Sequence, residues 1–191
     1  MNIKEFDNKC CKILKDIKEE DGLYNYYKSR MSNKKMLCHD DELLINYFME
    51  NVDKKCKILE IAAGIGQVSH YLNLNGFNDM TINEYDRKRL ILSEILNKQL
   101  DNNCNLIRDK YQSIDLYDYD YIFTLNGVSS HLGKLDDIPI FEKFLDNDKK
   151  IILKEGYFGK TDDTSFTDKL KENYNYIELF KTNTSVLMFF K

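Results

Sequence analysis

Residues 57–72 read KILEIAAGIGQVSHYL, and the fold is decided there. Lys57 to Ala62 has the pattern of a short apolar strand, with an acid, Glu60, close to its end. Ala62-Ala63-Gly64-Ile65-Gly66 then forms a turn with almost no side chain to obstruct a close approach. From Gln67 the apolar spacing becomes helical, with Val68, Tyr71 and Leu72 on one face. A strand, a small-residue turn and a helix start in this order deliver free backbone N–H groups at a helix N-terminus, where a ligand can meet the backbone.

The next segment specifies the ligand further. After Gly76 a second strand, Met80 to Glu84, leads to Asp86 as a helix N-cap ahead of the periodic run Leu90, Ile91, Ile95, Leu96 and Leu100. An acid at the end of the second strand of such a unit can accept hydrogen bonds from both hydroxyls of a ribose, and Glu84 is that acid. The unit therefore reads as one that holds a nucleoside-containing ligand. A dinucleotide site would need room for a pyrophosphate and more chain for a substrate domain, which makes a dehydrogenase the weaker reading.

These residues resemble the class I methyltransferase family that uses S-adenosylmethionine. Its first motif, an acid followed by three alternating glycines, stands here as Glu60-Ile61-Ala62-Ala63-Gly64-Ile65-Gly66, with Ala62 replacing the first glycine. A methyl group is tolerated at that position where the backbone is not left-handed. The second motif matches Glu84-Tyr85-Asp86, and the order of motifs continues to the C-terminus. The resemblance implies S-adenosylmethionine as cofactor, S-adenosylhomocysteine as product and no metal. It implies an α/β fold, a three-layer Rossmann-like sandwich whose seven-stranded sheet is mostly parallel with an antiparallel terminal strand, plus N-terminal helices. The cofactor contacts it implies are Glu60, Ala62, Ala63, Gly64, Gly66 and Gln67 in the turn and Glu84 with Tyr85 at the ribose. Beyond these it implies Asp109, Tyr111 and Gln112 at the adenine, then Asn126 and Arg30. An adenine asks for an acceptor facing its exocyclic amine and an aromatic or apolar wall; Asp109 could accept with Tyr111 as wall, and Gln112 fits the spacing nearly as well.

Ahead of the motif, a first helix is expected over Lys4 to Glu20 and ends at Asp21-Gly22; another is expected from Asp41 to Val52. Between them Leu23 to Arg30 gathers three tyrosines and two cations. In the resembling family this segment covers the cofactor and shapes the substrate pocket, so Tyr27 and Arg30 are lid candidates. Residues 1–55 are thus expected to cap a cofactor-binding core at 56–191 within a single domain. The amphipathic first helix, with Cys10-Cys11 on it, offers a face that could pair with a second copy in a homodimer.

Downstream, strands are expected at Asn105 to Asp109, Tyr121 to Asn126 and Lys150 to Glu155, then a hairpin of Tyr176 to Thr182 and Ser185 to Phe190 around Asn183-Thr184. Helices fall at Asp137 to Leu145 and Ser165 to Asn173. The loop Asn126-Gly127-Val128-Ser129-Ser130-His131 follows the fourth strand and, by the resemblance, faces the methyl group. Methyl transfer needs an acceptor held in line with the S–CH3 bond and, for a hydroxyl, a recipient for its proton. His131 is the first candidate for that recipient, with Tyr27 and Glu155 behind it. His70, inside the helix of the cofactor unit, reads as a packing residue. Pro139 is the only proline, which excludes the Pro-Pro-Tyr signature of amino methylation on DNA bases.

With Lys+Arg 28 against Asp+Glu 32 the chain carries a net charge of -4, against a nucleic-acid backbone as main partner. The five cysteines show no paired zinc or redox spacing and read as reduced packing residues. Neither a spanning segment nor a signal-peptide core is evident, so a cytoplasmic location is expected. The function read from the chain is methyl transfer to an oxygen or nitrogen of a small molecule. The alternatives are a protein or peptide methyltransferase and a non-catalytic cofactor-binding protein acting through a partner.

Overall fold

The computed structural model of the chain describes residues 1–17, 27, 30, 33–125, 137–156, 164–181 and 185–191. A seven-stranded sheet runs through its centre in the order β3-β2-β1-β4-β5-β7-β6. Its strands are β1 (Ile58–Ile61), β2 (Met80–Asn83), β3 (Asn105–Ile107), β4 (Tyr121–Thr124), β5 (Lys150–Gly156), β6 (Tyr176–Lys181) and β7 (Ser185–Phe190). The first five pair in parallel, and β7 lies antiparallel between β5 and β6. Both the expected sheet and the closing hairpin are present; the hairpin's turn, Asn183-Thr184, lies outside the described residues.

Alternation along the strands sends side chains into two separate cores. Ile58, Phe123, Ile152 and Leu187 face one layer, and Leu59, Ile122, Ile151 and Met188 face the other. Central parallel strands are covered on both faces, so ILEI and YIFT are buried at every position and are apolar except at Glu60 and Thr124. The first layer holds α1 (Ile3–Lys15), α2 (His39–Asn51), α3 (Gln67–Leu74) and α4 (Arg87–Gln99). The second holds α5 (Ile138–Leu145), α6 (Thr164–Asn173) and two single 3-10 turns, Tyr111–Ser113 and Leu116–Asp118. The result is the expected three-layer sandwich.

Two expectations about the first layer change. The first helix stops at Lys15, where Asp16 caps it; Asp21-Gly22 lies outside the described residues. Cys10 and Cys11 are buried, so the face expected to meet a second copy is turned into the protein's own core. Phe6 on the same helix meets Tyr71 of α3 edge-on at 5.4 Å. Lys4, Glu5, Asn8, Lys9, Lys12 and Lys15 make the outward face of α1, while its Asp7 is buried. Ile91 departs in the other direction: it follows the apolar spacing of α4 yet is exposed.

The turn between β1 and α3 fixes the position of everything that follows. Ala62, Gly64 and Gly66 all take left-handed backbone, with φ of 52°, 64° and 66°. The condition under which an alanine is tolerated in place of the first glycine is therefore not met, and Ala62 sits in a conformation that costs an L-residue about 1–2 kcal/mol. Gly66 has a second reason to be glycine, since a Cβ there would lie 2.6 Å from Cδ1 of the fully buried Ile82. Opposite effects are expected at the two positions. Gly66→Ala should lower stability by about 2–4 kcal/mol through left-handed strain and overpacking against Ile82. Ala62→Gly should raise it slightly, by less than about 1 kcal/mol, because the relieved strain exceeds the added freedom of the unfolded chain. Chemical denaturation of the two variants checks both signs.

Candidate functional site

The turn meets its acid directly. Glu84, buried just past β2, accepts the Gly64 N–H through Oε2 at 2.7 Å and the Asp86 N–H through Oε1 at 2.8 Å. The Gly64 amide, expected to be free for a ligand, is thus engaged by the acid expected to hold the ribose. A carboxylate offers about four acceptor positions, so two hydroxyls can still be received beside the two amides. Arg89 reaches within 4.0 Å of the same carboxylate. Asp86 caps α4 as expected, accepting from the backbone of Lys88 and Arg89 at 2.9 and 3.0 Å. Tyr85, between the two acids, is 61% exposed, a large ring with no core to fill.

Glu60 stands at the end of β1 and is only 3% exposed. Its Oε2 accepts from the Ser69 hydroxyl at 2.6 Å and the Ser69 N–H at 3.3 Å, joining the strand to α3. Burial pushes its carboxyl up to about 8, against the pull of the Ser69 bonds. Ala63 and Gln67, the remaining turn candidates, are both buried. His70 is the buried packing residue its place in the helix implies: its Nε2 lies 3.0 Å from Ser93 Oγ and its Nδ1 3.1 Å from Asn102. Burial holds that imidazole down at about 3.

On the side of β3, Asn83 donates to the carbonyls of Ile107 and Asp109 at 3.3 and 2.8 Å and fixes the chain as it leaves the strand. Asp109 is exposed and turns its carboxylate onto the adjacent Lys110 N–H at 2.8 Å. Tyr111 and Gln112 instead converge on Asp137, a buried acid just before α5. The Tyr111 hydroxyl donates to Asp137 Oδ2, and Gln112 Nε2 donates to Oδ1 at 3.1 Å. The Tyr111 ring lies against Phe141 with centroids 5.9 Å apart, and burial first, then Asp137, pushes its hydroxyl upward. Sequence reading missed Asp137; the signal available was its place directly before Ile138-Pro139, a helix start.

From the N-terminal part, Tyr27 is 4% exposed and lies over the turn, so close that a methyl group on Gly64 would stand 3.2 Å from its hydroxyl. Arg30 donates through Nη1 to the Met36 carbonyl at 2.9 Å and approaches Asp41 at 3.8 Å. Its guanidinium therefore also organises the cap. Asp7 does the same work from α1, accepting the Met36 and Leu37 N–H groups, both at 3.0 Å. Asp40 at the start of α2 meets Lys154 of β5 at 2.6 Å and Ser185 of β7 at 3.2 Å, a clamp that no sequence motif announced. Asn126 and His131 lie outside the described residues. Glu155 pairs with Val186 near the end of β5. Among the described residues no His, Cys, Asp and Glu group is arranged to hold a metal, and no helix is long and apolar enough to cross a membrane.

No protein-family model and no curated protein matches this sequence. Solved structures do match in fold. The PH0226 protein of Pyrococcus horikoshii OT3 is 17% identical with a TM-score of 0.64, over 80% of this chain and 89% of that one. Magnesium protoporphyrin IX methyltransferase of Synechocystis PCC 6803, solved with S-adenosylmethionine bound, is 11% identical with a TM-score of 0.63 over 100% of this chain and 97% of its own. A ribosomal protein L11 methylase of Lactobacillus delbrueckii subsp. bulgaricus is 14% identical with a TM-score of 0.62, over 80% and 79%. The chain has the class I methyltransferase fold.

Glu60 and His70, buried and shifted in opposite directions, give the stability a defined pH dependence. Glu60, raised when folded, stabilises fully below about pH 4.5 and progressively less as pH rises through about 8. His70, lowered when folded, stabilises fully above pH 6.5 and progressively less as pH falls toward about 3. Their slopes oppose one another between 4.5 and 6.5, so the Glu60 contribution should stand out from pH 6.5 to 8. Denaturant titrations across that window should show wild-type stability falling with pH and Glu60→Gln free of that contribution to the fall. Equal slopes for the two proteins would mean that Glu60 is ionised when folded.

Proposed function

We propose that the protein transfers a methyl group from S-adenosylmethionine to an oxygen or nitrogen of a small molecule, in the cytosol. The observation that carries the reading is the junction of Glu84 with the left-handed turn, which sets a two-oxygen acceptor beside a backbone stripped of side chains. A ribose diol fits the two open acceptor positions of Glu84, and the exposed ring of Tyr85 supplies an apolar surface beside it. Tyr27 over Gly64 would wall the methyl end, and the N–H groups of Arg30 left over from Met36 could receive the amino-acid carboxylate.

The cofactor's sulfonium already activates the methyl, so the task of this chain is to align the acceptor and, for a hydroxyl, to take its proton. A small acceptor is supported by the likeness in fold to an enzyme named for a porphyrin substrate, 97% of which is covered. The loop from Asn126 to His131 would supply the base.

Calorimetry with S-adenosylhomocysteine tests the reading, and absence of binding at millimolar ligand rejects it. Glu84→Ala should weaken binding by about 1–3 kcal/mol, the range for a hydrogen bond to a charged group. Because this variant also frees the Gly64 amide, its melting temperature without ligand should be measured alongside. Once an acceptor is found, His131→Ala should lower kcat by about two to four powers of ten with cofactor affinity unchanged. A change of only a few-fold with the same pH profile removes His131 from the chemistry.

A further inference from the structure

The two edges of the sheet are unlike. At one end β3 has only three residues, too short a ladder to attract another strand; at the other, β6 has six and, among the described residues, pairs only with β7. The outer side of β6 therefore presents backbone N–H and C=O groups to any strand that comes alongside. Tyr176 and Ile177 on this strand are 41% and 50% exposed, and each is too large and apolar for an ordinary solvated edge. With the apolar side of α1 turned inward, this edge takes its place as the surface on which a second copy could be met.

A lysine and a bulge usually guard such an edge, and β6 has both: Lys181, and an extra residue, Leu179, between Glu178 and Phe180. Here the bulge has a further consequence. In a regular strand Glu178 and Lys181 would point to opposite faces. Across the bulge, Glu178 stands opposite Met188 and Lys181 opposite Val186, both of which belong to the second layer, so the two charges share a face. Leu179 and Phe180 pack against the first layer. Both charges are exposed, and neither has an ion-pair partner among the described residues.

We propose that β6 pairs antiparallel with β6 of a second copy, about a two-fold axis between Leu179 and Phe180, so that the sheet continues from one molecule into the other. In that register Glu178 of each copy stands opposite Lys181 of the other, and Leu179 opposite Phe180: unlike charges meet on one face and apolar side chains on the other. Only this register brings the two charges together. A shift by one residue sets Lys181 against Ile177 or Leu179, and an axis through Glu178 sets that acid against itself. Charge complementarity thus selects the partner and the register at once. A strand pair of this length makes a small interface, so the dimer is weak and forms with rising concentration, whichever ligand the crevice takes.

Sedimentation equilibrium of the full chain from about 1 to about 500 μM, the range for a small interface, should show monomer passing to dimer. Lys181→Glu and Glu178→Lys each turn two attractions into two repulsions, and each should weaken association at least about tenfold. Both positions are exposed, so either variant should keep the far-ultraviolet circular dichroism of the unaltered chain. Mixed in equal amounts, the two variants place unlike charges opposite one another again at both points, and the mixture should dimerise as the unaltered chain does. An unaltered chain that stays monomeric at the highest concentration, which would leave the edge to some other partner, overturns the inference. Dimers that survive either single reversal, or a mixture no more associated than its components, overturn it as well.

Discussion

The hydrogen bond from the Gly64 N–H to Glu84 joins the two strands on which the site is built. With the Ala63 N–H bond to the Asn83 carbonyl at 3.1 Å and the buried side chain of Ile65, it holds three left-handed residues within a five-residue turn. A bond of this kind to a carboxylate contributes about 1.5–3 kcal/mol, comparable with the strain of Ala62 alone. The same carboxylate also holds the Asp86 amide and so sets where α4 begins. One buried acid thereby fixes the turn, the second strand's exit and a helix start. Buried groups on both sides leave it little room to relax: Ile82 blocks any side chain at Gly66, and Tyr27 closes over Gly64.

Around this joint the cap is attached by polar contacts rather than by apolar area alone. Asp7 fixes the Met36 and Leu37 amides, Arg30 binds the Met36 carbonyl, and Asp40 reaches Lys154 and Ser185 on the far strands. Hydrogen bonds and ion pairs are directional, so they set the position of the N-terminal helices against the sheet, where an apolar contact would permit sliding. The negative charge needed for these attachments also accumulates at the crevice. Glu60, buried between these elements, feels the negative charge of both Asp41 and Glu84.

What the sequence made legible follows from what is periodic. Strand and helix order, the Asp86 cap and the position of Glu84 all rest on local patterns, and each appears where the pattern sets it. Backbone sign at Ala62 is not legible, because alanine carries no mark of the conformation imposed on it by neighbours; only the left-handed glycines that follow it, Gly64 and Gly66, hint at it. Cys10 and Cys11 misled for a related reason. An amphipathic helix shows which face is apolar and says nothing of whether that face meets its own sheet or another molecule.

Asp137 is the instructive omission. It lies 26 residues from Tyr111 and 25 from Gln112, with β4 between, and no spacing rule connects them. Their meeting depends on the second layer: Tyr111 enters the core beneath α5 because its ring packs on Phe141, and that placement carries its hydroxyl to the acid at the helix start. A buried hydroxyl and a buried carboxylate each need a partner, so once the ring is committed to the core, the pairing is the arrangement that leaves neither unsatisfied. Gln112 then has its amide nitrogen drawn to the same acid, since a carboxylate can only accept, and its carbonyl oxygen is left as the end able to accept from elsewhere. Long-range polar pairing of this sort is decided by packing, and the functional orientation of a side chain can be fixed by a residue that no motif contains.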